Sequence, residues 1–171
     1  MVVNMDFFDV IDKRYSVRGF TDEEVSKEDL DKILDVAAKA PTAVNFQPFK
    51  VYVIDTNKNR GALKKVYPSE WFLQAPIVLC VAVSKEDAWT RRYDNKNFAD
   101  IDGTIVMDNI ILAATRLGLG TCYVGAFNPD AAEELINSDK YAPLLFTPLG
   151  HVDAGPRIQD KKTANDISEY I

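Results

Sequence analysis

The sequence predicts an α+β fold, and three observations predict it. Helix-period and strand-period segments are both present. They follow no regular strand–helix–strand rhythm, and the run Ile77–Ser84 (IVLCVAVS) is nearly all apolar, as expected of a strand covered on both faces. At 171 residues the chain is long enough for one domain with a real core and too short for two.

A short helix is expected over Asp6–Lys13. The clearest helix is Lys27–Ala40: Ser26 caps it, Asp29 three positions on resembles a capping box, and Pro41 ends it. Leu30, Ile33, Leu34, Ala37 and Ala38 follow the spacing of one buried helical face. Lys50–Asp55 and Ile77–Ser84 read as strands, with a helix over Asn59–Val66 between them. Asp102–Leu117 is helical but apolar around most of its girth, so protein must enclose it, and a subunit interface is the expected enclosure. Gly118 and Gly120 end that helix by permitting left-handed backbone. A strand over Thr121–Ala126 follows, then a helix capped by Asn128 with Pro129 in its first turn. Leu144–Val152 is the last strand, and the polar tail Asp153–Ile171 has few core residues of its own.

Composition narrows the function classes. A net charge of −6 disfavours nucleic acid and anionic membrane, since phosphate backbones need clustered cations; a local cationic pocket for one small anion is the exception. The two cysteines, Cys80 and Cys122, sit in apolar runs and form no CxxC pair, which argues against a disulfide framework or a zinc site. Neither a secretory signal nor a run of about 18 apolar residues is visible, so residence in the cytoplasm is expected. The familiar phosphate-loop, dinucleotide, zinc-protease and serine-hydrolase motifs are absent. One histidine, His151, cannot make a multi-histidine metal centre, and its place after Gly150 at a strand end reads as structural or solvent-facing. A chain with no evident nucleophile or metal is a candidate for letting a cofactor carry the chemistry.

Three segments are candidates for holding one. In Arg14-Tyr15-Ser16-Val17-Arg18, alternation puts Arg14, Ser16 and Arg18 on one side of an extended stretch, two guanidiniums flanking a hydroxyl. The alternative is a solvated basic turn. Pro41-Thr42-Ala43-Val44-Asn45-Phe46-Gln47-Pro48 is fixed by two prolines and offers neutral donors and acceptors from Thr42, Asn45 and Gln47, fit for a flat heterocycle or for an ordinary connection. Gly118–Ala126 is glycine-rich enough for close ligand approach, though Gly118 and Gly120 already have a helix to end.

Taken in order, these segments resemble the nitroreductase superfamily of FMN enzymes. R-x-S-x-R reads as Arg14, Ser16 and Arg18, and P-[ST]-x-x-N-x-Q-P as Pro41, Thr42, Asn45, Gln47 and Pro48. Asp102–Phe127 resembles the family's central helix and flavin-contacting strand. The resemblance implies a mixed, mainly antiparallel sheet flanked by helices, in an intertwined homodimer. The whole chain would be one domain, with the tail from about residue 153 reaching the partner. It implies that Arg14 and Ser16, with Tyr15 between them, hold the phosphate or ribityl chain and that Arg18 lies near the flavin N1 and C2 oxygen. Pro41, Thr42, Ala43, Asn45 and Gln47 would approach the same flavin from the partner subunit, with the backbone of Val124 and Gly125 by N5 and O4. Arg157 best matches the C-terminal cation on the phosphate, with Lys161 or Lys162 as replacements. Larger members often carry a polar or cationic group in the stretch where this chain has Trp71.

The activity so implied is ping-pong transfer of electrons from NADH or NADPH, through FMN, to a nitroaromatic, a quinone or another flat electrophile. No side chain is required as acid or base, because the cofactor carries the chemistry. Phe46, Trp71, Tyr123 and Phe127 are candidate stacking residues. A flavin-binding store, sensor or partner protein without turnover would need the same contacts, and a third reading keeps the fold without the flavin.

Overall fold

The structure is a computed structural model that describes residues 5–156 and 160–171. Its order is α1 (Phe7–Lys13), α2 (Lys27–Ala38), β1 (Phe49–Asp55), α3 (Thr56–Val66), β2 (Ile77–Val83), α4 (Ala99–Arg116), β3 (Gly120–Thr121), α5 (Pro129–Ile136), β4 (Ala142–Gly150) and α6 (Ala164–Ile167), with short 3-10 turns at Ala43–Asn45 and Glu70–Leu73.

The strands form one sheet in the order β1-β2-β4-β3, with every ladder antiparallel. A parallel bridge from Ser16 to Thr121 makes the arrangement mixed. Strand β2 explains its own composition. Leu79 and Val81 join Ile33 and Ala37 of α2 and Val106, Met107, Ile110 and Ile111 of α4 in one core layer. Val78, Cys80 and Ala82 point the other way, into a second layer with Leu63 and Val66 of α3 and Ala132 and Ile136 of α5. Both faces of the strand are covered, so neither set can be polar.

Helix ends follow the chemistry of their caps. Ser26 Oγ accepts from the Asp29 amide at 3.0 Å and donates to the Asp29 carboxylate at 2.9 Å. The helix stops at Ala38, two residues before the expected end. Asp55 caps α3, accepting from the Lys58 amide at 3.0 Å, so this helix begins three residues before the expected Asn59. Asn128 caps α5 as expected, with Pro129 in its first turn.

Helix α4 is enclosed mostly by its own chain. It lies between α2 and the sheet, burying Val106, Met107, Ile110, Ile111 and Ala114 completely, while Ile105 and Leu112 stay half-covered. Gly103 sets how closely it packs: a Cβ there would come within 2.6 Å of Leu144 Cδ2 and Val83 Cγ1.

Two sequence expectations need correction. Gly118 does adopt positive φ (79°), but Gly120 does not, and its smallness serves space instead. A Cβ on Gly120 would lie 2.8 Å from Val152 Cγ2 and 3.0 Å from Val17. The expected strand Thr121–Ala126 shrinks to Gly120–Thr121, with one further bridge from Val124 to Phe146. Continuing the register sets Cys122 opposite Pro148, which has no N–H to give, and the Cys122 amide donates instead to the Thr147 hydroxyl at 3.1 Å.

Candidate functional site

Residues 14–18 run extended from the end of α1. The Arg14 amide closes that helix on the Val10 carbonyl at 3.0 Å, and the Val17 amide donates to the Thr121 carbonyl at 2.9 Å. Val17 is buried against the sheet, which turns Ser16 and Arg18 outward by the alternation of an extended chain. Tyr15 OH donates to the Ala154 carbonyl at 2.7 Å, anchoring the segment to the chain beyond β4. Arg14, Tyr15, Ser16 and Arg18 then line one cavity of about 220 Å³, together with Asp12, Pro156 and Lys161. The first four are the grouping expected from the sequence, and Lys161, one of the alternatives to Arg157, joins them. Arg157 lies outside the described residues, and Lys162 is exposed and does not line the cavity.

Among the described residues Arg14, Arg18 and Lys161 form no ion pair within 4.0 Å, so no carboxylate in direct contact cancels their charge. Among the described residues Asp12 is the one acid on the cavity wall. Behind Ser16 lies Cys122. Burial pushes its thiol up, while the Arg18 charge, a hydrogen bond with the Ser16 side chain and the Arg14 charge pull it the other way. Burial pushes Cys80 up to about 12, and both cysteines are free. Burial opposes thiolate formation at both positions.

The loop from Pro41 to Gln47 is built under strain. Val44, Asn45 and Gln47 have φ of 49°, 58° and 52°, in the left-handed region that a β-branched residue such as Val44 strongly resists. Several hydrogen bonds hold it. The Gln47 amide donates to Thr42 Oγ1 at 3.0 Å, and the Gln47 side chain donates to the Asn45 carbonyl at 3.3 Å. The Ala43 amide donates to Asp102 Oδ1 at 2.9 Å. Asp102 is 1% exposed, on α4, and among the described residues its buried Oδ2 has no hydrogen-bond partner. In the sequence Asp102 marks only the start of a helix. Its signal was a carboxylate facing inward on an otherwise apolar helix, a placement that requires a donor. Thr42 and Gln47 are thus committed within the loop, whereas Asn45 and Phe46 are exposed.

Among the described residues these two groups share no cavity in one chain: the two cavities that Arg14 and Tyr15 line include none of Pro41–Gln47. The loop hangs from Asp102 near the start of α4. A second cavity beside Arg14 and Tyr15 is lined by Thr115 and Gly118 at its end. At 1.5 Å per residue that separation is about 20 Å. At Val124 both peptide groups are used, the amide donating to Phe146 at 2.9 Å and the carbonyl accepting from it at 3.0 Å. Gly125 is exposed, and a Cβ there would meet only Leu145 at 3.7 Å, so the chain's own packing does not demand glycine. Of the candidate stacking residues, Phe127 packs on Phe146 with ring centroids 4.9 Å apart, and Trp71 lies under the Arg18 guanidinium. Phe46 and Tyr123 are exposed.

The sequence model of the nitroreductase family matches residues 11–71 and 60–151, well over half of the chain. The chain belongs to the nitroreductase family. Nitroreductase-family relatives cover most of it. A protein of Methanothermobacter thermautotrophicus described as a putative NADH dehydrogenase/NAD(P)H nitroreductase is 30% identical over 93% of this chain and 84% of its own length. An FMN reductase [NAD(P)H] of Bacillus subtilis is 29% identical over 80% of this chain, which spans 61% of that longer protein. Among solved structures, a nitroreductase family protein of Clostridium difficile is 35% identical, with a TM-score of 0.89 over 97% of this chain and 98% of that one. The α+β fold with its antiparallel sheet is therefore the nitroreductase fold.

Proposed function

We propose that the protein is an FMN-dependent NAD(P)H oxidoreductase, working as a homodimer in which residues of both chains hold each flavin. The observation that carries this reading is the cavity of about 220 Å³ that gathers Arg14, Ser16, Arg18 and Lys161. A phosphate monoester carries roughly −1.5 to −2 charges at neutral pH, and three cations with no ion pair among the described residues, together with a hydroxyl, fit that group. A pocket for a whole cofactor-sized molecule measures about 300–1,000 Å³, so this cavity suits the anionic end and the rest needs further walls. Relatives bearing the names FMN reductase and NAD(P)H nitroreductase support the same cofactor and donors.

The second chain supplies those walls. If α4 packs antiparallel against its copy, the end of one helix meets the start of the other, and the Pro41–Gln47 loop of one chain reaches the Arg14–Arg18 cavity of its partner. Apolar surface left uncovered supports this: Phe7, Phe8 and Ile11 on α1, and Ile167, Tyr170 and Ile171 in the tail, are exposed. Residues 153–171 reach the partner in this reading.

Bound FMN supplies two-electron transfer between NADH or NADPH and a flat electrophilic acceptor such as a nitroaromatic or a quinone. This chain's residues bind and tune it. Arg14, Ser16 and Lys161 hold the phosphate end. Arg18 places a fixed cation where reduction adds negative charge, lowering the cost of that charge. Asp102 holds the strained loop, so that Asn45 and the Ala43 turn are presented in one conformation. Because the Val124 amide is committed to Phe146, the exposed Gly125 is the residue of that pair that allows close approach. Protons come from solvent. An absorbance spectrum of the purified protein, taken anaerobically before and after NADH or NADPH, tests the reading. Flavin bands that bleach within seconds to minutes are expected. Flavin bands that persist would leave a flavin-binding protein without turnover, and a chain that takes up no FMN would refute the cofactor.

A further inference from the structure

The Arg18 guanidinium lies over the ring of Trp71, with its carbon 5.7 Å from the centroid. Arg18 is exposed and, among the described residues, has no ion pair. An exposed arginine with no partner ordinarily samples many rotamers, and ordering one costs side-chain entropy. A carboxylate could order it, but would also cancel most of its field. An aromatic face attracts the cation through its quadrupole and leaves the net charge in place.

Trp71 is itself well anchored. Its ring meets Tyr67 edge-on at 5.7 Å and Phe72 edge-on at 6.2 Å, and Phe72 is fully buried. The indole also packs against the small cluster of Val17, Phe20 and Ala75, the first two belonging to the segment that carries Arg18. That segment is tied to the same turn from the other side, where the Phe20 amide donates to Gln74 Oε1 at 3.4 Å. The ring face under Arg18 is therefore fixed relative to the backbone of residues 14–20, and it is taken by a cation rather than free for a planar substrate.

We propose that Trp71 is the positioning residue of Arg18: its face holds the guanidinium on the rim of the Arg14–Ser16–Lys161 cavity with its charge uncancelled, and it acts on a bound flavin only through Arg18. The proposal rests on the reading of that cavity as a flavin site, and its test separates the two. In flavin-free protein with nitrogen-labelled arginine, the Arg18 Nε–H proton resonance, assigned by its loss in Arg18→Met, is shifted upfield by the indole ring current. The shift persists in reduced form in Trp71→Phe and disappears in Trp71→Leu. With FMN bound, Trp71→Leu lowers the flavin midpoint potential toward that of Arg18→Met, while Trp71→Phe stays near the wild type. FMN affinity in Trp71→Leu falls only about two- to fivefold, the scale of one exposed cation–π contact. An Arg18 resonance at its ordinary position in the wild-type chain overturns the proposal without any variant having to fold. So does a Trp71→Leu potential equal to that of the wild type. If the wild-type chain takes up no FMN, the proposal falls with the reading beneath it, and a resonance still shifted marks the flavin assignment, not the contact, as the error.

Discussion

Asp102 shows how one buried carboxylate holds a loop proposed to belong to the site. It gives the Ala43 amide an acceptor at 2.9 Å while its other oxygen, also buried, has no partner among the described residues. A hydrogen bond to a charged group contributes roughly 1.5–3 kcal/mol, and a buried amide left without an acceptor costs about 1–3 kcal/mol. Asp102→Ala is therefore expected to destabilise the fold by about 2 kcal/mol in urea denaturation and to weaken FMN binding by tenfold or more as the loop relaxes from its left-handed conformation. Asp102→Asn keeps an acceptor for Ala43 and should lose less than half as much of both. An Asp102→Ala protein that titrates with FMN like the wild type would remove Asp102 from the account. The residue types at the Arg14–Arg18 cavity were legible because alternation along an extended chain is a local property. Among the C-terminal cations the sequence leaves Arg157, Lys161 and Lys162 open, and the choice of Lys161 needs the fold; Asp102 is not legible at all, since it acts through a contact distant in sequence.

At the scale of elements, the legible features were those with a cap or a period. Ser26, Asn128 and the all-apolar β2 each announced their element, and the structure has all three. The Asp55 cap was equally present in the sequence, but the polar first turn of α3 hid it behind the apolar period that starts later. The failed strand after Gly120 turned on Pro148 and the Thr147 hydroxyl, features of a different strand, and no inspection of residues 121–126 alone could have found them. Helix α4 is apolar all round mainly because α2 and the sheet both press on it. Its fit against the sheet depends on Gly103. Gly103→Ala gains about 1 kcal/mol of helix propensity but meets Leu144 and Val83 at 2.6 Å. Overpacking of that kind costs about 1–3 kcal/mol, so a net loss of stability is expected in thermal or urea unfolding. An unchanged or raised midpoint would show that α4 can move off the sheet freely.

For the molecule as a whole, the chain holds apart the two groups of residues proposed to bind the flavin, a cationic cavity toward the end of α4 and a strained loop at its start, about 20 Å apart. It also leaves aromatic and aliphatic side chains of α1 and the tail exposed, Phe8 at 74%. The family resemblance was legible from three ordered motifs, whereas the distance between them needed the fold. Among the described residues no helix is long and apolar enough to cross a membrane. Sedimentation velocity followed at both the protein and the flavin absorbance bands tests the two-chain site most directly. Flavin absorbance is expected to move only with a dimeric species, at one FMN per chain, and to be lost as dilution produces monomer. A monomer that sediments with its full complement of FMN would contradict it.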